Sequence, residues 1–261
     1  MASGPWAADF SDAYFRRLLA AIRSAWRPRL FCNAAAVLRL PEKSLFLRHD
    51  VDVSPERALA MAAIEHEEGV ASTYMVMNRA RLYSLRTSES VRVLRQIAGL
   101  GHEIGLHFDY PDPYRTSQGV QPERLDAEIQ AACAELEEAL GAPVASLSFH
   151  RPVPSVIRGP LMIAGRVNAY AAELMDRYIS DSKGSWREGE PLPVIQEATT
   201  VRTLQVLIHP IWWGERHRTA QERLDDFSEE RALQLGPAAR PQIDADLAAS
   251  LPGVTRTHNA A

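Results

Sequence analysis

The chain has only two cysteines in 261 residues, Cys32 and Cys133, too far apart for a disulfide framework and matching no metal or redox spacing. Both are expected to be reduced packing residues. No stretch approaches the roughly 20 apolar residues needed to span a bilayer, and the segment from Met1 to Phe10 lacks the basic patch and apolar run of a secretory leader. A cytoplasmic protein without a transmembrane segment is therefore expected. Positive charge is not in excess either, because 29 Lys and Arg face 33 Asp and Glu for a formal net charge of −4. No broad field attracts phosphate backbones or anionic lipid, so nucleic acid is not an expected partner. No Gly/Ser linker, internal repeat or low-complexity block divides the sequence. What remains, 46% hydrophobic and 24% charged residues, is the balance of a soluble enzyme domain.

Phe10, Tyr14, Leu18, Ile22 and Trp26 recur every four positions and predict an amphipathic helix. Further helices are predicted over Ser54 to Glu68, Ser88 to Ala98, Glu123 to Leu140 and Glu215 to Leu235. Short apolar runs alternate with them, at Leu45 to Leu47, Thr73 to Met77, Ile104 to Leu106, Val144 to Phe149, Tyr178 to Ile179 and Leu204 to Ile208. That alternation predicts an α/β fold with a mainly parallel sheet. One domain spanning 1–261 is expected, with a core of about 44–235, a helical segment at 1–43 and a C-terminal arm or tail at 236–261 marked by Pro237, Pro241 and Pro252.

The apolar runs end in titratable side chains: His49-Asp50-Val51-Asp52, His107-Phe108-Asp109, His150-Arg151, Asp181 and His209. In a parallel sheet these carboxyl ends converge on one face, so the five groups are expected to meet in one site. Strand alternation puts Asp50 and Asp52 on one side and His49 and Val51 on the other. Two such carboxylates can divide labour, one holding a divalent cation and the other taking a proton from water. Alone, an Asp-X-Asp is more often a turn or a cap; in this company it points to a site. His107 and Asp109 share a face, and His102 is expected to pack or hydrogen-bond behind it. His66, His217 and His258 read as solvent-facing, and the mixed charges of Arg216 to Arg231 as an exposed helix face.

These motifs resemble, in order and over about Leu45 to Trp213, those of the polysaccharide deacetylases, the NodB-homology or family 4 carbohydrate esterases. The resemblance implies a distorted (β/α)7 barrel and a metal-dependent N-deacetylase. His49-Asp50-Val51-Asp52 resembles the first motif in a divergent Asp-X-Asp form, implying Asp50 as catalytic base and Asp52 as metal ligand. Gly101 to His107 implies His107 as a ligand. Phe149-His150-Arg151-Pro152 is similar to the third motif, implying that Arg151 orients the base. Ser180-Asp181-Ser182 with Trp186 resembles the fourth, implying that Asp181 supports the network and Trp186 lines the pocket. Leu207-Ile208-His209 resembles the fifth, implying His209 as general acid.

Two positions depart from that pattern. The second metal-binding histidine, four residues after His107, is replaced by Pro111, so another side chain must complete the ligand set. His150 is the expected substitute and Asp109 the alternative. The backbone donor for an oxyanion three residues after the arginine is Pro154, which has no N–H, leaving Val153 or Ser155. Trp212 and Trp213 suit either a substrate pocket or the core, and Tyr110, Tyr114 and Trp186 are expected near the same cleft. One divalent ion is expected as cofactor: zinc, with nickel, cobalt or iron as the other metals such ligands accept. The expected substrate is an N-acetylated amino sugar, nucleotide-activated, lipid-linked or attached to a small metabolite. Rival readings are an amidohydrolase of non-sugar amides, a sugar-binding relative without catalysis, and a glycosyltransferase that leaves His107, Arg151 and His209 unexplained. Nothing in the sequence opposes a homo-oligomer.

Overall fold

Every residue of Ser44–Val51 is buried, as in a strand covered on both faces. The computed structural model of the chain describes residues 8–110, 122–197 and 200–254. It begins with α1 (Asp12–Ala25), the short strand β1 (Arg27–Arg29), the helical turn α2 (Ala34–Val37) and β2 (Ser44–Val51). Helix and strand then alternate through α3 (Pro55–Glu67), β3 (Thr73–Met77), α4 (Ser88–Gly99), β4 (Glu103–Asp109), α5 (Pro122–Leu140) and β5 (Ser146–His150). The remaining elements are β6 (Met162–Ile163), β7 (Arg166–Asn168), β8 (Arg177–Ser180), α6 (Pro191–Glu197), β9 (Thr203–Ile208), α7 (Ala220–Leu235) and α8 (Arg240–Ser250).

The nine strands form one sheet in the order β6-β7-β5-β4-β3-β2-β9-β8, with β1 beside the first half of β2. All pairs are parallel except the short β6–β7 ladder, so the expected convergence of carboxyl ends is realised. Among the described residues β6 and β8 do not pair with each other, which leaves the barrel open and distorted.

Alternation divides each strand between two environments. The outer face of β2 sends Leu45 and Leu47 under α1 and the C-terminal helices, in a cluster with Phe15, Leu19, Trp212 and Trp213. The outer faces of β3 to β5 pack under α4 and α5 through Tyr74, Val76, Leu106, Phe108 and Leu147. The inner face is plugged at the amino ends of the strands by Phe31, Phe46 and Met75. Gly105 belongs there, because a Cβ at that position would come within 2.5 Å of Met75 Sδ and 2.6 Å of Ser146 Oγ. The carboxyl ends above this plug carry polar side chains.

The C-terminal segment corrects the expectation of an arm or tail. Residues 240–250 form a helix whose Ile243 and Leu247 are buried, and Leu251 beyond it is buried too. Pro237 and Pro241 do not prevent this, because each occupies the first turn of its helix, where a missing N–H costs nothing. The helix expected from Glu215 begins instead at Ala220, where Thr219 and Glu222 form a reciprocal capping box. His66 and His217 are exposed, as expected.

Candidate metal centre and catalytic residues

Period-two geometry puts Arg48, Asp50 and Asp52 on the inner side of β2 and its end, while His49 turns outward to bond Glu65. Register carries that inner face across the sheet: His107 lies opposite Ser148, and Asp109 opposite His150.

Asp52, His107 and His150 are all buried and offer ligand atoms within 4.8 Å of one another. His107 Nε2 lies 3.2 Å from Asp52 Oδ1, and His150 Nδ1 lies 3.6 Å from the same oxygen. A 2.6 Å hydrogen bond between His107 Nδ1 and Ser148 Oγ orients the ring and leaves Nε2 facing the aspartate. Asp52 Oδ1, the atom both imidazoles approach, has no hydrogen bond of good geometry among the described residues. A buried carboxylate oxygen is rarely left so, and a divalent cation held between it and the two imidazoles would satisfy it. Two imidazoles and a carboxylate form a donor set suited to zinc. Asp109 stands apart, its backbone N–H donating to Asn78 Oδ1 and its carboxylate 3.7 Å from Arg151. Pro111, Tyr114 and His258 lie outside the described residues.

The arginine expected beside the base is a different one. Arg48 donates from Nε to Asp50 Oδ1 at 2.8 Å and from Nη2 to Oδ2 at 2.7 Å, a two-pronged contact sealed from solvent. Its guanidinium also bonds Tyr170 Oη at 2.8 Å and Gln205 Oε1 at 3.1 Å. Arg151 is the correction: it follows the end of β5 with a left-handed φ of 55°, and its guanidinium pairs with Asp109 at the rim. Burial opposes ionisation of Asp50, but the charges of Arg48 and His107 hold its carboxyl below the ordinary value.

His209 and Asp181 form the second buried pair. His209 Nδ1 is 2.7 Å from Asp181 Oδ1, and the His209 backbone N–H donates to both carboxylate oxygens. Trp213 Nε1 donates to Asp181 Oδ2 at 2.8 Å. These bonds direct His209 Nε2 towards the centre, 3.9 Å from Asp52 Oδ2. Burial disfavours the imidazolium, yet Asp181, with Asp52 and Asp50, outweighs it and pushes the pKa up to about 9.

A cavity of about 220 Å³ opens over these groups, bordered by Tyr170, Tyr178, Lys183, Arg187 and the C-terminal Ser250, Leu251, Pro252 and Val254. Four residues expected around it are elsewhere. Trp186, Trp212 and Trp213 are buried in the apolar cluster beneath α1, and Tyr110 stacks on Phe149 behind the sheet. Large aromatic surface outweighed any role at the rim. Val153 and Ser155 do not border the cavity either. A larger cavity of about 500 Å³, beside α5, is spanned by the solvent-accessible pairs Arg79–Glu128 and Arg86–Glu135 and holds no comparable cluster among the described residues.

Behind β2 and β3 lies another polar cluster. Glu65 accepts from Ser72 Oγ at 2.6 Å and Tyr74 Oη at 2.7 Å, and its other oxygen meets His49 Nε2 at 2.7 Å. His102 contacts Ser72 and the Ala62 carbonyl, in the hydrogen-bonding role expected of it.

No family profile and no curated protein matches the chain. Among solved structures it is similar to a CE4 esterase from Streptococcus mutans, with 16% identity, a TM-score of 0.46 and coverage of 72% of this chain and 80% of that one. It is also similar to a CE4 family pseudoenzyme from Bacillus anthracis, with 17% identity and a TM-score of 0.41, covering 74% of this chain and 62% of that one. IcaB from Ammonifex degensii matches at 16% identity and a TM-score of 0.40, over 55% of this chain and 69% of that one. The chain thus spans less than two thirds of the length of the Bacillus anthracis protein.

Proposed function

We propose that this protein is a metal-dependent hydrolase that removes the acetyl group from an N-acetylated amino sugar. The observation that carries the reading is the convergence, at one end of the sheet, of a three-ligand cluster with a carboxylate held by arginine and an imidazole held by aspartate. Asp52, His107 and His150 would hold the ion, zinc by the chemistry of the donors. A divalent ion there would supply Lewis acidity that lowers the pKa of water and polarises an amide carbonyl.

Asp50, kept ionised, accepts the proton of the attacking water, and Arg48 fixes the direction of its free lone pairs. His209, kept protonated, donates to the amide nitrogen as the C–N bond breaks, because an amide anion is a very poor leaving group. Asp181 accepts from Nδ1, which orients the imidazolium so that Nε2–H faces the site, and stabilises its charge. Acetate and the free amine are the products.

The test is metal content of the purified protein together with acetate release from a panel of N-acetylated sugars, sugar nucleotides and acyl amides that lack a sugar. Acetate release from the sugars that needs the metal and Asp50 is expected. Release confined to the non-sugar amides would move the assignment to that class. Metal-free protein that remains active would remove it.

A further inference from the structure

The floor and the rim of the catalytic cavity differ in charge. Asp50 and Asp52 are the only acidic side chains bordering it among the described residues, and Asp50 is already paired with Arg48. At the rim stand three cations: Arg151 is paired with Asp109, whereas the exposed Lys183 and Arg187 make no ion pair or hydrogen bond among the described residues. In a chain with a net charge of −4, two uncompensated cations at one opening run against the overall balance.

Their setting is specific. Lys183 sits two residues after Asp181 with a left-handed φ of 64°, which costs energy for a residue bearing a Cβ and would cost glycine nothing. Its ammonium rests against the C-terminal turn, where a Cβ on Gly253 would come within 2.6 Å of Nζ. Ser250, whose buried hydroxyl has no partner among the described residues, borders the cavity from that same turn. The cavity therefore offers two unpaired cations and an unused hydroxyl beside the reacting groups. Its volume of about 220 Å³ is below the roughly 300–1,000 Å³ of drug-sized ligand sites, and the segment from Ser250 to Val254 walls one side of it.

We infer that the substrate carries an oxyanion, a phosphate ester or a carboxylate, bound by Lys183 and Arg187, and that it enters as a single sugar or a chain end. This rests on the deacetylase reading of the same site. Guanidinium and ammonium groups bind either oxyanion through charge-assisted hydrogen bonds, which a neutral acetylated sugar cannot supply.

The experiment is calorimetric binding to metal-loaded Asp50→Asn protein of N-acetylglucosamine, its 1-phosphate, its 6-carboxylate and the neutral chitin tetramer. At least one anionic sugar is expected to bind about tenfold more tightly than the neutral monosaccharide, with a preference that shrinks as salt rises. Adding K183Q and R187Q should abolish that preference. Whichever anion gains more identifies the group. Equal affinities, tightest binding of the tetramer, or an anion preference that survives the double substitution would overturn the inference. Acetate release by the unsubstituted protein separates the two readings. Release from the neutral sugar as efficient as from the anionic ones leaves the deacetylase reading standing and removes this one. Anion binding that depends on Lys183 and Arg187, with no acetate released from any sugar, does the reverse.

Discussion

Arg48 and Asp50 lie two residues apart on the same strand and close a two-pronged ion pair at 2.8 and 2.7 Å, both side chains almost wholly buried. Adjacent inner-face positions on a strand bring the two into register with no loop to order. Tyr170 completes the arrangement, its ring 4.5 Å from the guanidinium carbon. As the proposed base, Asp50 is thus oriented from within its own strand.

Removing the guanidinium tests this. Arg48→Ala strands a buried carboxylate and is expected to cost about 3–5 kcal/mol of stability, read by urea unfolding. Arg48→Lys keeps the charge but not the planar fork. That variant should fold, retain its metal and lose roughly tenfold or more in kcat with KM little changed, as expected when only the geometry of the base is disturbed. Arg151→Ala should leave kcat within about twofold. Equal kcat losses for Arg48→Lys and Arg151→Ala would return the orienting role to Arg151.

How far the site was legible follows from these residues. The alternation that joins Asp50 to Asp52 also places Arg48 on their face, but the apolar run ends at Leu47, and a charged residue beyond it carries no hydrophobic signal that the strand continues. Ser148 and Gln205 share the inner face by the same rule. Tyr170 arrives from an irregular stretch after β7 and leaves no periodic signal. The tryptophans were ambiguous because composition does not say which side of a sheet a loop will pack against. The last helix was hidden by prolines that look like breakers until their first-turn positions are known, although Ile243, Leu247 and Leu251 keep helical spacing. The parallel sheet and the meeting of its strand ends were legible because they depend on repetition along the whole chain.

The choice of third ligand is tested by comparing two substitutions. His150→Ala is expected to weaken metal binding about 100-fold or more, whereas Asp109→Ala should change it by less than about threefold. Competition with a chromogenic chelator measures both. Stronger loss in Asp109→Ala than in His150→Ala would exchange their roles.

The His209–Asp181 pair makes a prediction in pH. The folded pKa of His209, about 9, lies above its ordinary 6.5, so the pair's contribution to stability is fully present below pH 6.5 and is lost as pH rises through about 9. Activity that needs the imidazolium falls over the same alkaline range, and an ion bound to Asp52 shifts that limb downwards by cancelling part of the carboxylate charge. Asp181→Asn removes the largest opposing charge and should move the limb about one unit or more towards neutrality, with the metal retained. The kcat profile against pH is the measurement, and a limb unmoved by Asp181→Asn would assign it to another group.

Acid should unfold the protein through the cluster behind the sheet. Burial favours the neutral form of Glu65, but His49, His102 and Ser72 together hold its carboxyl below the ordinary 4.5. Burial also holds the His102 imidazole below 6.5, against the pull of Glu65. Both shifts act in one direction, because a group whose folded pKa is depressed adds stability above its unfolded value and withdraws it as pH falls. Stability should therefore decline first below about pH 6.5 as His102 becomes protonatable in the unfolded chain, and more steeply below 4.5 as Glu65 follows. Glu65→Gln keeps the shape but leaves His49, Ser72 and Tyr74 sharing an amide that cannot accept at both ends. It should cost about 2–3 kcal/mol at pH 7 and flatten the decline below pH 4.5, while the His102 portion remains. Urea unfolding at pH 7, 5.5 and 4 separates the two portions, and parallel curves for the variant and the parent would show that Glu65 is not the acid-sensitive group.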